Sequence, residues 1–185
     1  MRTAFDDIYD NYHKDLFQFV FYMVKDKQQT EDIVQEVYIK VLHSYETFKG
    51  ESSEKTWLFS IARHVTIDFF RKQQRKRKRI MDFFDWGEKG HLIKGEDALP
   101  EEITLLNDEM ARVYHCLDQC SIDQKSVIIL RYIQSFSIEE TASTLNWSIS
   151  KVKTTQHRAM KTIKSLLNDM DREEGASGDS QQRRG

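Results

Sequence analysis

Seven glycines and one proline in 185 residues are far fewer than the roughly 22 that ordinary usage of about 12% would give. Glycine supplies positive φ and proline breaks helices, so a chain this poor in both makes few tight turns and many helices. Their positions mark the breaks: Gly50 alone, then Gly87, Gly90, Gly95 and Pro100 together, then Gly175, Gly178 and Gly185. A chain of this length holds one ordinary domain or two small ones with modest cores.

The longest unbroken apolar run is six residues, Phe19 to Val24, against the roughly 18 needed to cross a bilayer. No membrane insertion is expected. Met1 to Asp10 carries three acids and no apolar stretch, so it does not read as a secretory signal. Cys116 and Cys120 are the only cysteines, which suits a reducing cytoplasm and excludes a disulfide scaffold.

The formal net charge of −2 hides a strong segregation. Residues 1–79 sum to +3, 80–111 to −7, 112–170 to +3 and 171–185 to −1. Within the first segment, Arg63 to Arg79 holds eight bases against the single Asp68. A basic run alone is most often a solvated face. Here, however, Trp57, Leu58, Ile61, Ala62, Val65 and Phe69 precede and enter it at helical spacing, so one end of that helix belongs to a core.

From Phe5, the positions Ile8, Tyr9, Tyr12, Leu16, Phe19, Val20 and Met23 form the stripe of a core-facing helix ending near Lys25. A second helix follows the polar break Asp26 to Gln29, with Thr30 as its N-cap and Ile33, Val34, Val37, Val41, Leu42 and Tyr45 inward. Its opposite face is polar, with Asp32, Gln35, Glu36, Lys40 and His43. Thr47 to Lys55, TFKGESSEK, reads as a loop before the basic helix. Ile80 to Glu102 lacks sustained periodicity and reads as a linker.

A helix over Ile103 to Leu117 opens the second domain. Ser121 with Gln124 and Ser137 with Glu140 are two capping boxes, each starting a helix. Asn146 suits the left-handed residue that ends the second of these. A longer helix runs from Ile149 to about Met170, with Ile149, Val152, Ala159, Ile163 and Leu166 inward, and the tail from Asp171 reads as disordered. The capped helix from Ser137 and this longer one, joined by the short Asn146-Trp147-Ser148 turn, with small Ala142 for the close crossing, make a helix-turn-helix. The fold class is therefore all-α: two small helical domains, 1–79 and 103–170, joined by a flexible acidic linker, 80–102, with a tail, 171–185.

The last helix exposes Lys151, Thr154, Arg158 and Lys161 on one face, with Lys153, His157 and Lys164 alongside and no acid before Asp169. A recognition helix uses its first residues for base edges and its cations for phosphates. In the first domain, a loop followed by Trp57 and a basic helix has the parts for holding single-stranded DNA, with bases on the indole and cations along the backbone. A lone Trp at helical spacing is as readily a core residue.

The stretch Phe48 to Arg79, FKGESSEKTWLFSIARHVTIDFFRKQQRKRKR, resembles the segment that melts and reads the minus-ten element in extracytoplasmic-function (ECF) sigma factors of bacterial RNA polymerase. TEDIVQEVYIKVL (Thr30 to Leu42) resembles that family's polymerase-binding helix. DQKSVIILRYIQSFSIEETASTL (Asp123 to Leu145) and SKVKTTQHRAMK (Ser150 to Lys161) resemble its minus-thirty-five helix-turn-helix. The resemblance covers Phe5 to Arg79 and Glu101 to Met170. It implies that Asp32, Gln35 and Glu36 dock on the β′ clamp of core polymerase, and that the second domain meets the β flap. For minus-ten DNA it implies Phe48, Lys49, Gly50, Glu51, Ser52, Ser53 and Lys55 as a base-capturing loop. Trp57, Arg63, His64, Asp68, Arg71 and Lys72 complete that set. For minus-thirty-five DNA it implies Ser148, Ser150, Lys151, Lys153, Thr154, Thr155, His157, Arg158 and Lys161. It also implies a membrane-associated anti-sigma factor as partner, and no cofactor.

One departure is Thr155-Gln156, where relatives often have Arg-Leu, so the minus-thirty-five preference does not carry over. Two other readings use parts of the same sequence. A helix-turn-helix regulator acting without polymerase accounts for 112–170 and leaves Phe48 to Arg79 unused. A small metal or redox enzyme would rest on Asp10 with His13 and on Cys116, Cys120 and His115. Two thiols and one imidazole do not make a four-ligand site, and no phosphate-binding glycine loop or nucleophile elbow occurs. Neither a metal site nor catalysis is expected.

Overall fold

The computed structural model describes residues 4–83 and 108–182, with side chains over 5–79 and 111–172. Every regular element among them is helical, and they divide into two units. The first is built from α1 (Ala4–Val24), α2 (Lys27–Ser44) and α3 (Glu54–Phe83), each packed on the other two.

The α1 stripe buries Ile8, Leu16, Phe19, Val20 and Met23 completely or nearly so. Facing them are Ile33, Val34, Val37 and Val41 of α2 and Leu58, Phe59, Ala62 and Val65 of α3. Phe19 and Phe59 meet at 5.4 Å between centroids and an interplanar angle of 59°. Each such large side chain contributes about 1.5–3 kcal/mol by leaving water, and those that α3 supplies all lie in its N-terminal half. The helix then continues past Arg79 to Phe83, about five turns beyond its last buried apolar residue, Val65.

Four details differ from the sequence pattern. The α2 N-cap is Asp26, whose carboxylate accepts from the Gln29 N–H at 2.7 Å. Thr30 lies one turn further in, fully buried, donating its hydroxyl to the Asp26 carbonyl at 2.7 Å. Leu42 is 57% exposed and Tyr45 half-buried, because Val41 and Val37 already fill the inward arc. Tyr9 is also exposed, stacked on His13 at 4.4 Å, and His13 Nδ1 pairs with the Tyr38 hydroxyl at 3.0 Å. Burial, and then Tyr9, hold the Tyr38 phenol well above the usual tyrosine range.

The second unit begins at α4 (Asp108–Cys116) and a short 3₁₀ turn, Leu117–Gln119. Next come α5 (Ile122–Ile128), which widens into a π turn over Ile129–Ile133, then α6 (Ile138–Leu145) and α7 (Ile149–Gln182). Both capping boxes form. Gln124 N–H and Ser121 Oγ pair at 3.3 Å with the reciprocal bond at 2.9 Å, and Ser137 and Glu140 pair at 3.0 and 2.7 Å. Asn146 takes φ 53°, the Trp147 N–H reaches the Ala142 carbonyl at 2.9 Å, and the Asn146 N–H reaches Ser143 at 3.2 Å. That double closure is a Schellman stop.

Its core joins Leu117, Val127, Ile129, Leu130, Phe136, Ala142, Leu145, Val152, Ala159 and Ile163. Ile149, expected inward, is 43% exposed; it occupies the first turn of α7, ahead of the inward position Val152. The helix also does not stop at Met170, and the tail read as disordered continues it to Gln182. Ion pairs support the extra turn: Arg112 of α4 bonds Asp171, and Arg172 pairs with Asp169 at 3.7 Å. Residues 84–102 of the expected linker, and 103–107 of the helix expected before Leu117, lie outside the described residues.

Ser121→Ala and Ser137→Ala should each cost about 1 kcal/mol, a fall in melting temperature of about 4–8 °C for a domain of this size. Thermal melts check it; an unchanged midpoint for both would contradict a stabilising role for the caps.

Candidate functional site

Three surfaces gather the residues singled out in the sequence. The first surrounds the break between α2 and α3. Gly50 adopts φ +69° with nothing within 4 Å of the position of a Cβ, so glycine is required there by backbone conformation and not by space. Ser53 caps α3, its Oγ accepting from the Thr56 N–H at 3.1 Å. The turn brings Phe48 onto Trp57, stacked at 4.8 Å and 30°, with Tyr45 edge-on to the indole at 6.0 Å and 67°. Tyr45 also donates to Glu54 at 3.1 Å across the foot of the loop. Burial, then the Glu54 hydrogen bond and charge, raise the phenol's pKa.

Thr47, Phe48, Lys49, Glu51, Ser52 and Trp57 enclose a cleft of 330 Å³, at the lower end of the range for small-ligand sites. The stacked Phe48–Trp57 pair offers an aromatic face, and with a cation and an acceptor carboxylate in the same cleft it can stack a flat ring and hydrogen-bond its edge. Lys55 faces elsewhere, to Asp15 of α1 at 3.1 Å. Beyond the cleft, His64, Asp68, Arg71 and Lys72 lie exposed along α3, and exposed cations continue through Arg79. Arg63 does not join them: it is 8% exposed and belongs to the packed side of the helix.

The second surface is the outer face of α2. Asp32 and Gln35 are exposed and Glu36 half-exposed, with Lys40 Nζ 3.9 Å from Glu36. The sequence pattern missed two further members, Ile39 at 55% and Leu42 at 57% exposure. The signal was available for Ile39, which falls seven residues from Asp32 and four from Gln35 on the polar face. An apolar strip edged by acids is a docking surface, not a catalytic one.

The third is a groove of 610 Å³ along the first turns of α7. Ser148, Ser150, Lys151, Thr154, Thr155 and Arg158 form one wall, and Ser121, Asp123 and Gln124 the other. Lys153, His157 and Lys161 continue the exposed basic surface. Gln156 turns inward instead: its amide accepts from Arg131 Nε at 3.2 Å and donates to the Tyr132 hydroxyl at 3.0 Å. Arg131 also bonds the Phe136 carbonyl, so the departure at Gln156 is committed to holding α7 against the π turn that follows α5.

Among the described residues, no group of three or more His, Cys, Asp or Glu side chains could hold a metal ion. Cys116 and Cys120 are buried thiols. No described helix is long and apolar enough to cross a membrane.

Residues 8–76 match Sigma-70 region 2, and residues 110–163 match Sigma-70, region 4. Over 167 residues the chain is 56% identical to the ECF RNA polymerase sigma factor SigX of Bacillus subtilis (strain 168), covering 90% of this chain and 85% of that protein. The chain belongs to the ECF sigma factors of the sigma-70 family. It is also 29% identical to the RNA polymerase sigma factor YlaC of the same organism over 173 residues, 94% of this chain and 97% of that one. Among solved structures, the sigma factor RpoE in complex with the anti-sigma factor NepR from Bartonella quintana aligns with TM-score 0.70 and 26% identity, over 89% of this chain and 96% of that chain. CnrH, solved with the cytosolic domain of CnrY, shares the fold at TM-score 0.65 and 20% identity, over 90% and 88% of the two chains.

The chain is thus an alternative sigma factor that binds core RNA polymerase and directs promoter-specific initiation. Its family comprises initiation factors, not enzymes. A helix-turn-helix regulator acting alone leaves the region 2 match over residues 8–76 without a role.

The burial difference along α3 yields a prediction. Arg63→Ala should lower the melting temperature by several degrees. Lys72→Ala should leave it unchanged and reduce the salt slope of single-stranded promoter DNA binding by the holoenzyme by about 0.7. Equal thermal effects of the two substitutions would contradict the assignment of Arg63 to the packed side.

Proposed function

We propose a residue-level division of labour. Residues 1–79 bind polymerase and open the minus-ten element, and residues 103–170 read the minus-thirty-five element and meet the β flap. The Asp32, Gln35, Glu36 face of α2 docks on the β′ clamp, with Ile39 and Leu42 as its apolar centre. Acidic residues at the edge of such a patch steer encounter, and desolvated apolar side chains hold the complex.

Phe48 and Trp57 receive a base flipped from the non-template strand, with Lys49, Glu51 and Ser52 at its edge and Gly50 and Ser53 shaping the loop. His64, Arg71 and Lys72 follow the strand along α3, with Asp68 among them. The observation that carries this reading is the aromatic cleft at the foot of a helix whose exposed face is cationic for several turns. Stacking is worth about 1–3 kcal/mol per base and the cations supply a sequence-independent grip, the two requirements of strand capture.

On α7, Ser148, Ser150, Lys151, Thr154, Thr155 and Arg158 face the groove that takes DNA, and Lys153, His157 and Lys161 lie on its flank. The protein works in the bacterial cytoplasm, without a cofactor and without catalysing a reaction itself. RpoE of Bartonella quintana was solved with its anti-sigma factor NepR; by that likeness, and the family's, we assign this chain an anti-sigma partner, membrane-associated, that holds it until induction.

Reconstitution with core polymerase tests the docking face. Reversing charge with Asp32→Lys and Glu36→Lys should slow holoenzyme assembly about tenfold at low salt and much less at high salt, where screening removes the steering. Ile39→Ala should instead speed dissociation at either salt. Assembly kinetics unaltered by all three substitutions would place the interface elsewhere.

A further inference from the structure

Trp147 belongs to no site described so far. It lies between the left-handed Asn146 that stops α6 and the Ser148 cap that starts α7, and its N–H is fixed on the Ala142 carbonyl at 2.9 Å. The indole is half-buried, and four residues on, Lys151 Nζ stands 3.8 Å from its ring centroid. That is well inside the roughly 6 Å at which a cation is drawn to an aromatic face, and Trp is the best of the three rings for it.

The backbone of Lys151 is fixed as well: its N–H donates to Ser148 Oγ at 3.2 Å. An exposed lysine ordinarily samples many rotamers of a four-carbon stem. Here the ammonium lies between its own capped turn and the half-buried indole, on the wall of the groove that α7 shares with Ser121 and Gln124.

We infer that Trp147 is a specificity-determining positioning residue: it holds the Lys151 ammonium at the groove for a guanine edge of the minus-thirty-five element. The inference rests on the proposal that this groove takes that DNA. Lys151 is in the first turn of α7, and the first residues of a recognition helix are the ones that reach base edges. Lysine's partners in the major groove are the O6 and N7 acceptors of guanine. A wandering ammonium would settle on the nearest phosphate, which carries no sequence information. Restraint by the indole is what converts a general cation into a reader of one base pair.

The test uses the full chain in holoenzyme with core polymerase and a promoter library randomised across the minus-thirty-five element. Wild type should prefer G·C at one position by about tenfold. Trp147→Leu, which keeps an apolar side chain but removes the ring, should relax preference there alone with the salt slope unchanged. Trp147→Phe should retain most of it, and Lys151→Met should abolish it. Adding Trp147→Leu to Lys151→Met should change the preference no further.

The positioning role is overturned if Trp147→Phe and Trp147→Leu behave alike, or if the double variant is less selective than Lys151→Met. It is overturned equally if Lys151→Met weakens all sequences uniformly and lowers the salt slope by about one, the signature of a phosphate contact. Should Trp147→Leu fail to fold by thermal melt, Trp147→Phe and Lys151→Met still decide: the first must keep the preference and the second lose it. A wild-type holoenzyme with no minus-thirty-five preference sinks the groove assignment and this inference together; a preference indifferent to the variants sinks this inference alone.

Discussion

The first unit depends on α3 serving two environments with one unbroken backbone. Leu58, Phe59, Ala62 and Val65 lock its first half between α1 and α2, the three larger side chains at about 1.5–3 kcal/mol each. No comparable burial supports the half from Arg71 to Arg79, whose side chains are almost all exposed. Like charges crowded along a helix repel and would fray it if it stood alone. Continuity with the anchored half keeps the cations in line, and the same anchoring fixes Trp57 one residue before Leu58, beside the loop that carries Phe48. Cleft and basic track are therefore in register because a single buried helix sets both.

The second unit solves a different problem, holding a recognition helix at a fixed angle with little core. Asn146 and the Ala142 carbonyl fix the turn into α7. Arg131, reaching both Phe136 and Gln156, ties the π turn to the second turn of that helix. Arg112 ties its far end through Asp171. Backbone stops and polar clasps supplement a modest apolar interior.

Periodicity disclosed the described α-helices where they carry an apolar stripe, and the two capping boxes and Asn146 were legible because their chemistry is local. What escaped were features made by tertiary contact or by residues without a turn signature. Ser135 takes φ 59°, although it is neither glycine nor asparagine. Leu42 falls on the apolar repeat of α2 yet faces solvent, and Arg63, which the family resemblance puts among the minus-ten contacts, packs inward. The linker acids, from Asp85 on, lie beyond the described residues.

The central claim is that the aromatic cleft and the basic half of α3 together open the promoter. Permanganate reactivity of minus-ten thymines, measured on holoenzyme at equal polymerase occupancy, tests it most directly. Trp57→Ala should abolish most of the reactivity while leaving association with core polymerase unchanged. Reactivity equal to wild type in that variant would contradict the account.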